Sequence, residues 1–156
     1  MDLGVWLPEY IRTAWSGHPR ASDIQVNASS AWADVHPVLL GELTNVLVDN
    51  ACKYSLSGTP ITARVEPFEG GVELSVADSG FGIREEELPR LFEPFVRSAA
   101  ARERGVEGLG LGLSVAKRIA EVHGGAIGVT RTVGGGSRFT LRLSAVIPPD
   151  TQRTQG

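Results

Sequence analysis

The sequence predicts an α+β fold, a two-layer sandwich in which one mixed, mostly antiparallel sheet is covered by helices on one face. Three observations carry this. Two pairs of segments alternate apolar and polar residues around glycine-rich turns, as hairpins do. One long stretch has helical periodicity. Helices and strands follow one another in mixed order instead of repeating strand–helix–strand units. The chain has 156 residues, the size of one domain, and 42% of them are hydrophobic, enough for a core.

The elements follow in order. Residues 5–15, VWLPEYIRTAW, read as a short amphipathic helix, and SGHPRAS as a loop. DIQVNA and SAWADV are expected as two short strands around a turn, with Asp34 as a helix-start residue. From His36 to about Tyr54 the pattern is helical, and SLSGTP ends it with turn chemistry. ITARVEPF and GVELSVAD form the first hairpin, around EGG. REEELPRLF reads as a short helix opened by acids. Residues 97–110 are polar, glycine-containing and aperiodic, which predicts a mobile loop. GLSVAKRIAEVHGG is a helix closed by glycines. AIGVTRTVGGGSRFTLRLSAV forms the second hairpin, and IPPDTQRTQG is expected to be a disordered tail. The alternation in both hairpins gives the sheet one buried and one solvated side.

Composition narrows the function. Charged residues make up 21% of the chain, the net charge is −3, and no basic run stands out, which argues against nucleic acid as a partner. The single cysteine, Cys52, excludes an internal disulfide framework and a cysteine-cluster metal site. No apolar run approaches the roughly 18 residues that span a bilayer. The N-terminus lacks the pattern of a signal peptide. A soluble, cytoplasmic chain without membrane contact is expected.

Four motifs carry chemistry. At 100° per residue, the stretch 36–54 puts Leu40, Leu43, Leu47 and Ala51 on one face and Glu42, Asn45, Asp49 and Lys53 on another. Asn50 falls between the two stripes, where a half-buried amide must find partners. On its own the segment reads as an ordinary amphipathic helix with a solvated polar face. VADSGFGI leaves a strand at Asp78, a carboxylate suited to accept from an exocyclic amine, and Gly80 and Gly82 permit close ligand approach. A plain turn explains the same residues as well. GVEGLGLGLS has glycines at 105, 108, 110 and 112 just before a helix, an arrangement that aims N–H groups at phosphate. It is not a P-loop, because no lysine follows until Lys117. LFEPFVR sets Leu91, Phe92 and Phe95 around a proline, a hydrophobic plug anchoring the loop that follows.

In this order and spacing, DNACKYS, DSGFGI, LFEPF and GLGLGLS resemble the N, G1, F and G2 boxes of the ATP-binding catalytic domain of sensor histidine kinases. That domain belongs to the gyrase, Hsp90, histidine kinase and MutL superfamily and has the Bergerat-type ATP-binding fold. The resemblance spans about residues 22–147, leaving 1–21 as an N-terminal helix and linker and 148–156 as a tail. It implies Mg-ATP as the ligand. Asp78 would accept the adenine amino group, and Gly80, Gly82 and Ile83 would pass close to the nucleotide. Tyr54 would border the base or ribose, and Phe95 would belong to the site. Asn50 would hold Mg²⁺, and Lys53 would approach the phosphates. Residues 97–110 would be the ATP lid, with Gly108, Leu109, Gly110, Leu111, Gly112 and Leu113 near the phosphates. Arg97, Arg102 and Arg104 would be cationic candidates for the γ-phosphate.

The resemblance also implies partners: a histidine on a separate helical hairpin of the same kinase and, through it, a response regulator. None of His18, His36 and His123 has the setting of an acceptor, so the chain is expected to be the catalytic piece of a longer kinase, monomeric without the hairpin. One position departs from the pattern. The family carries a polar residue four positions before the metal-binding asparagine, where this chain has Val46. Valine cannot activate water, which argues against a dedicated ATPase. Two alternatives share the motifs: a stand-alone serine kinase of the anti-sigma type, and a non-catalytic nucleotide-binding regulatory domain.

Overall fold

A computed structural model describes residues 1–97 and 111–149. Among them, helices α1 (Leu3–Trp15), α2 (Pro37–Lys53) and α3 (Gly112–Val122) accompany strands β1 (Ile24–Ala28), β2 (Ile61–Phe68), β3 (Gly71–Asp78), β4 (Ala126–Arg131) and β5 (Ser137–Ser144). The strands form one sheet in the order β1-β2-β3-β5-β4, with β1 parallel to β2 and every other pair antiparallel.

Register puts the apolar residues of the strands on one face. Ala63, Val76 and Phe139 lie side by side, as do Val65, Leu74 and Leu141, and all six are buried. The three helices cover this face and complete a single core with Leu3 and Leu7 of α1, Leu40, Leu43 and Leu47 of α2, and Ala116 and Ile119 of α3. The opposite face carries Arg64, Glu73, Thr140 and Arg142, whose alternation with the core residues is the period-2 signal seen in the sequence.

Several local features differ from expectation. SAWADV is not a strand: it makes only isolated bridges, Trp32 to Asp2 and Ala33 to Ala145, because it runs between the chain start and the end of β5 without a continuous partner. Helix α1 starts earlier than predicted, since the Asp2 carboxylate accepts from the Gly4 N–H and caps it. The same carboxylate accepts from Ser30 Oγ and the Ala31 N–H, tying the cap to the loop beyond β1. Helix α2 begins at Pro37 with His36 as its cap residue, not at Asp34. Proline suits a first helical position, where its missing N–H costs nothing. REEELPRLF forms a 3-10 helix over Glu85–Arg90, consistent with Pro89 in its interior.

The segment over residues 1–21 packs tightly on the rest. Tyr10 Oη donates to the Gly41 carbonyl at 3.1 Å, and Trp15 Nε1 donates to Asn45 Oδ1 at 3.1 Å. A Cβ on Gly41 would stand 3.0 Å from the Tyr10 ring, so glycine lets α1 and α2 come together. The tail residues 150–156 lie outside the described residues.

Candidate functional site

The site is built where α2 ends beside the end of β3. Asp78 is the last residue of β3, and its side chain turns to the helix-covered face, 6% exposed. Its Oδ1 accepts from the Gly80 N–H at 2.8 Å. Burial raises the carboxyl above its ordinary value; hydrogen bonds from the Gly80 and Ser137 N–H groups and the charge of Arg20 pull it part of the way back. A buried carboxylate with hydrogen-bonding capacity to spare is a costly feature that a polar ligand repays.

Two glycines make the loop after Asp78 possible. A Cβ on Gly80 would lie 1.9 Å from the Tyr54 carbonyl oxygen. That oxygen accepts from the Phe81 N–H at 3.0 Å, docking the loop on the end of α2. Gly82 has φ +72, and its Cβ would meet the Gly135 carbonyl at 2.8 Å. Gly136 is closer still, its Cβ position 1.8 Å from the Asp78 carbonyl. The β4–β5 turn thus backs the Asp78 loop, a role for GGG that its reading as a hairpin turn does not contain.

Asn50, Tyr54, Asp78, Gly82, Ile83, Leu91, Leu113, Ser137 and Phe139 line one cleft. The first five and Leu113 are residues the sequence points to. Leu91, Ser137 and Phe139 join them, Phe139 from a strand position whose alternation signals burial only. Asn50 is half-buried, and its side-chain amide has no hydrogen-bond partner among the described residues. The cleft is closed to about 20 Å³, roughly the room of one water, so a planar ring enters only if its apolar walls move aside. A larger groove of about 630 Å³ shares Gly82 and Ile83 as a wall but is lined by Arg84, Glu87, Arg131 and the β4–β5 turn. It contains neither Asp78 nor Asn50, so the chemistry points to the smaller cleft.

The remaining expected residues are distributed as follows. Lys53 is exposed and pairs with Asp49 at 2.9 Å. Burial raises the Tyr54 hydroxyl, and the charges of Arg97 and Lys53 act on it in the opposite sense; neither cation lines the cleft. Leu111 is exposed, and Gly112 opens α3 with its Cβ position 3.4 Å from Val46. The plug holds two of its three members: Leu91 is buried and Phe92 packs edge-on against Phe139, whereas Phe95 is 70% exposed with φ +65 and does not line the cleft. Arg102, Arg104, Gly108, Leu109 and Gly110 lie outside the described residues.

For a nucleotide these residues fit: a buried acceptor at the inner end, apolar walls, an amide on α2 and glycines that let backbone approach. For Mg²⁺ they fit in a limited sense. No group of three or more His, Cys, Asp or Glu among the described residues could hold a metal alone. Mg²⁺ commonly needs only one or two protein ligands, taking the rest from phosphates and water.

Known proteins share this chain's sequence pattern and fold. Residues 35–147 match the family described as histidine kinase-, DNA gyrase B-, and HSP90-like ATPase. The sensor histidine kinase YkoH of Bacillus subtilis is 37% identical over 134 residues, 86% of this chain and 29% of YkoH. The sensor protein SrrB of Staphylococcus aureus is 42% identical over 101 residues, 65% of this chain and 17% of SrrB. The chain therefore spans less than a third of the length of these relatives. Among solved structures, the mycobacterial sensor histidine kinase MprB superposes with a TM-score of 0.77 at 29% identity, covering 93% of this chain and 97% of that one. The histidine kinase domain of the E. coli osmosensor EnvZ gives 0.69 at 29% identity, covering 95% and 89%.

Proposed function

The chain belongs to the histidine kinase-, DNA gyrase B- and HSP90-like ATPase family, and from that premise we propose that it binds Mg-ATP and donates the γ-phosphoryl group to a histidine on a separate domain of a two-component sensor kinase. The single observation that carries this is the buried Asp78 carboxylate sharing a cleft with the Asn50 amide. The nucleotide-binding unit is taken as residues 22–147, with the 1–21 helix and linker before it and a tail after it.

The roles follow from the chemistry of each group. Asp78 accepts from the adenine amino group, and protein groups fixed in a low-dielectric pocket make such a contact selective. Tyr54, Ile83 and Leu113 border the base, and Gly80 and Gly82 let the backbone come near it. Asn50 holds Mg²⁺, which when bound neutralises charge on the phosphates. Lys53 and Arg97 are assigned to the phosphates, as are Arg102, Gly108 and Gly110 by the family resemblance, the last three lying outside the described residues. Phosphoryl transfer relies on positioning and charge neutralisation more than on covalent help. The acceptor is an imidazole whose neutral nitrogen is already nucleophilic.

Water is a poor competitor here. By the family resemblance Val46 holds the position of a polar residue, and its side chain has only methyl groups, which cannot activate water. Asn45, its polar neighbour, is held by Trp15. Hydrolysis of ATP by the chain alone is expected at background.

The test is thermal and then functional. Mg-ATP should raise the melting temperature, and ³²P should pass from ATP to a purified helical hairpin carrying the acceptor histidine. No thermal shift at millimolar Mg-ATP would sink nucleotide binding. A shift without transfer to any such hairpin would leave a nucleotide-binding regulatory domain.

A further inference from the structure

Arg20 is 7% exposed and lies outside the cleft. A buried guanidinium is tolerated only when its donors are satisfied, and here they are. Nη1 donates to the carbonyls of Cys52 at 3.0 Å and Ser55 at 3.1 Å. Nη2 donates to Ser55 Oγ at 3.2 Å and the Thr59 carbonyl at 3.1 Å. Nε donates to the Asp23 carboxylate, which also accepts from the Gly58 N–H.

These acceptors cluster at one place. The last carbonyls of a helix lack intrahelical partners and carry the negative end of its dipole. At the end of α2, Arg20 takes the Cys52 carbonyl and Ser55 Oγ takes the Ala51 carbonyl. Tyr54 sits between Cys52 and Ser55, both held by the same guanidinium. Its own carbonyl points the other way, to the Phe81 N–H and into the space left by the missing Cβ of Gly80. The chain of contacts therefore runs from Arg20, through the end of α2, to the loop that starts at Asp78.

We propose that Arg20 is a positioning residue of the nucleotide site: it fixes the Tyr54 carbonyl, which seats the 78–82 loop and so aims the Asp78 carboxylate into the cleft. This rests on the reading of the cleft as a nucleotide site. The fork geometry matters as well as the charge, because lysine supplies a single ammonium that cannot reach Cys52, Ser55 and Asp23 together.

Two measurements on the full chain, well below its melting temperature, test the link: the Kd for Mg-ATP and the hydrogen-exchange rate of the Phe81 amide without nucleotide. For Arg20→Lys, affinity should fall about tenfold and Phe81 exchange should quicken about tenfold. Ile11→Val, a core change in α1 remote from the cleft, serves as the control; it should lower the melting temperature and move neither readout. If Arg20→Lys does not fold, Ser55→Ala removes one of the acceptors and should shift both readouts about threefold in the same direction. Affinity within twofold of the parent and unchanged Phe81 exchange, in whichever variant folds, would overturn the proposal. If the parent chain fails to bind Mg-ATP, the nucleotide reading falls, and Phe81 exchange still reports on the structural link by itself.

Discussion

Asn45 and Asn50 stand five residues apart on the same helix, and the fold uses them in opposite ways. Asn45 accepts from Trp15 across the α1–α2 interface. Around it, the Thr44 hydroxyl donates to the Leu40 carbonyl and the Gly41 carbonyl accepts from Tyr10. These three polar groups of α2 are satisfied within the protein. In the last turn Asn50 faces the cleft with no partner for its amide among the described residues, opposite a buried carboxylate. A polar side chain is glue where a neighbour completes it and a binding group where none does.

The largest expected effect lies at the cleft end. Asp78→Asn exchanges a charged acceptor for an amide and should weaken Mg-ATP binding by about tenfold to a hundredfold, measured by calorimetric titration, with the fold intact. Unchanged affinity would erase the distinction between the two ends. Next, Asn50→Ala should lower Mg-ATP affinity about tenfold and abolish the difference between titrations with Mg²⁺ and with EDTA. Asn45→Ala should do the reverse, reducing stability by about 1 kcal/mol in urea unfolding while affinity stays put. Exchanged phenotypes would mean that the two amides have been assigned to the wrong ends.

Acid separates the ends too. The Asp78 carboxyl lies above its ordinary 3.8 in the fold. Its contribution to stability is full below 3.8 and is lost as pH rises through the raised value. Binding runs the other way, since the ionised acceptor exists only above that value, so affinity should fall on acidification before ordinary carboxylates titrate. At the N-terminal end, burial pushes the Asp2 carboxyl up but the hydrogen bonds from Ser30, Ala31 and Gly4 outweigh it, holding it below 3.8. Its contribution is present above 3.8 and is lost as pH falls through the lowered value. A pH series of nucleotide titrations and melts should therefore lose binding first and the α1 cap later. Lys53→Ala is the smallest change: its exposed pair with Asp49 should cost no more than about 0.5 kcal/mol, seen as a nearly unshifted melt.

Much of the fold was legible because it rests on local periodicity. The hairpins 61–78 and 126–144, the long helix and the glycine-closed α3 follow from alternation, helical spacing and turn residues. SAWADV departs from its expected strand because a strand needs a partner, and periodicity does not say whether one is present. Phe95 is an apolar neighbour of Leu91 and Phe92 in the sequence, yet it has a positive φ and lies exposed, outside the core.

At the site, the sequence by itself determined which groups are available: a carboxylate at a strand end, an amide at a helix edge and glycines in the loop after the strand. Their order along the chain sufficed to suggest the family. Tertiary structure alone decided which of these groups are left open. Helical register separates Asn45 from Asn50, but that Asn45 is completed by Trp15, thirty residues before it, is visible only in the fold. Arg20 reads as one more loop arginine until Cys52, Ser55 and Thr59 surround it. Whether a polar group is satisfied depends on atoms distant in sequence, which local pattern cannot supply.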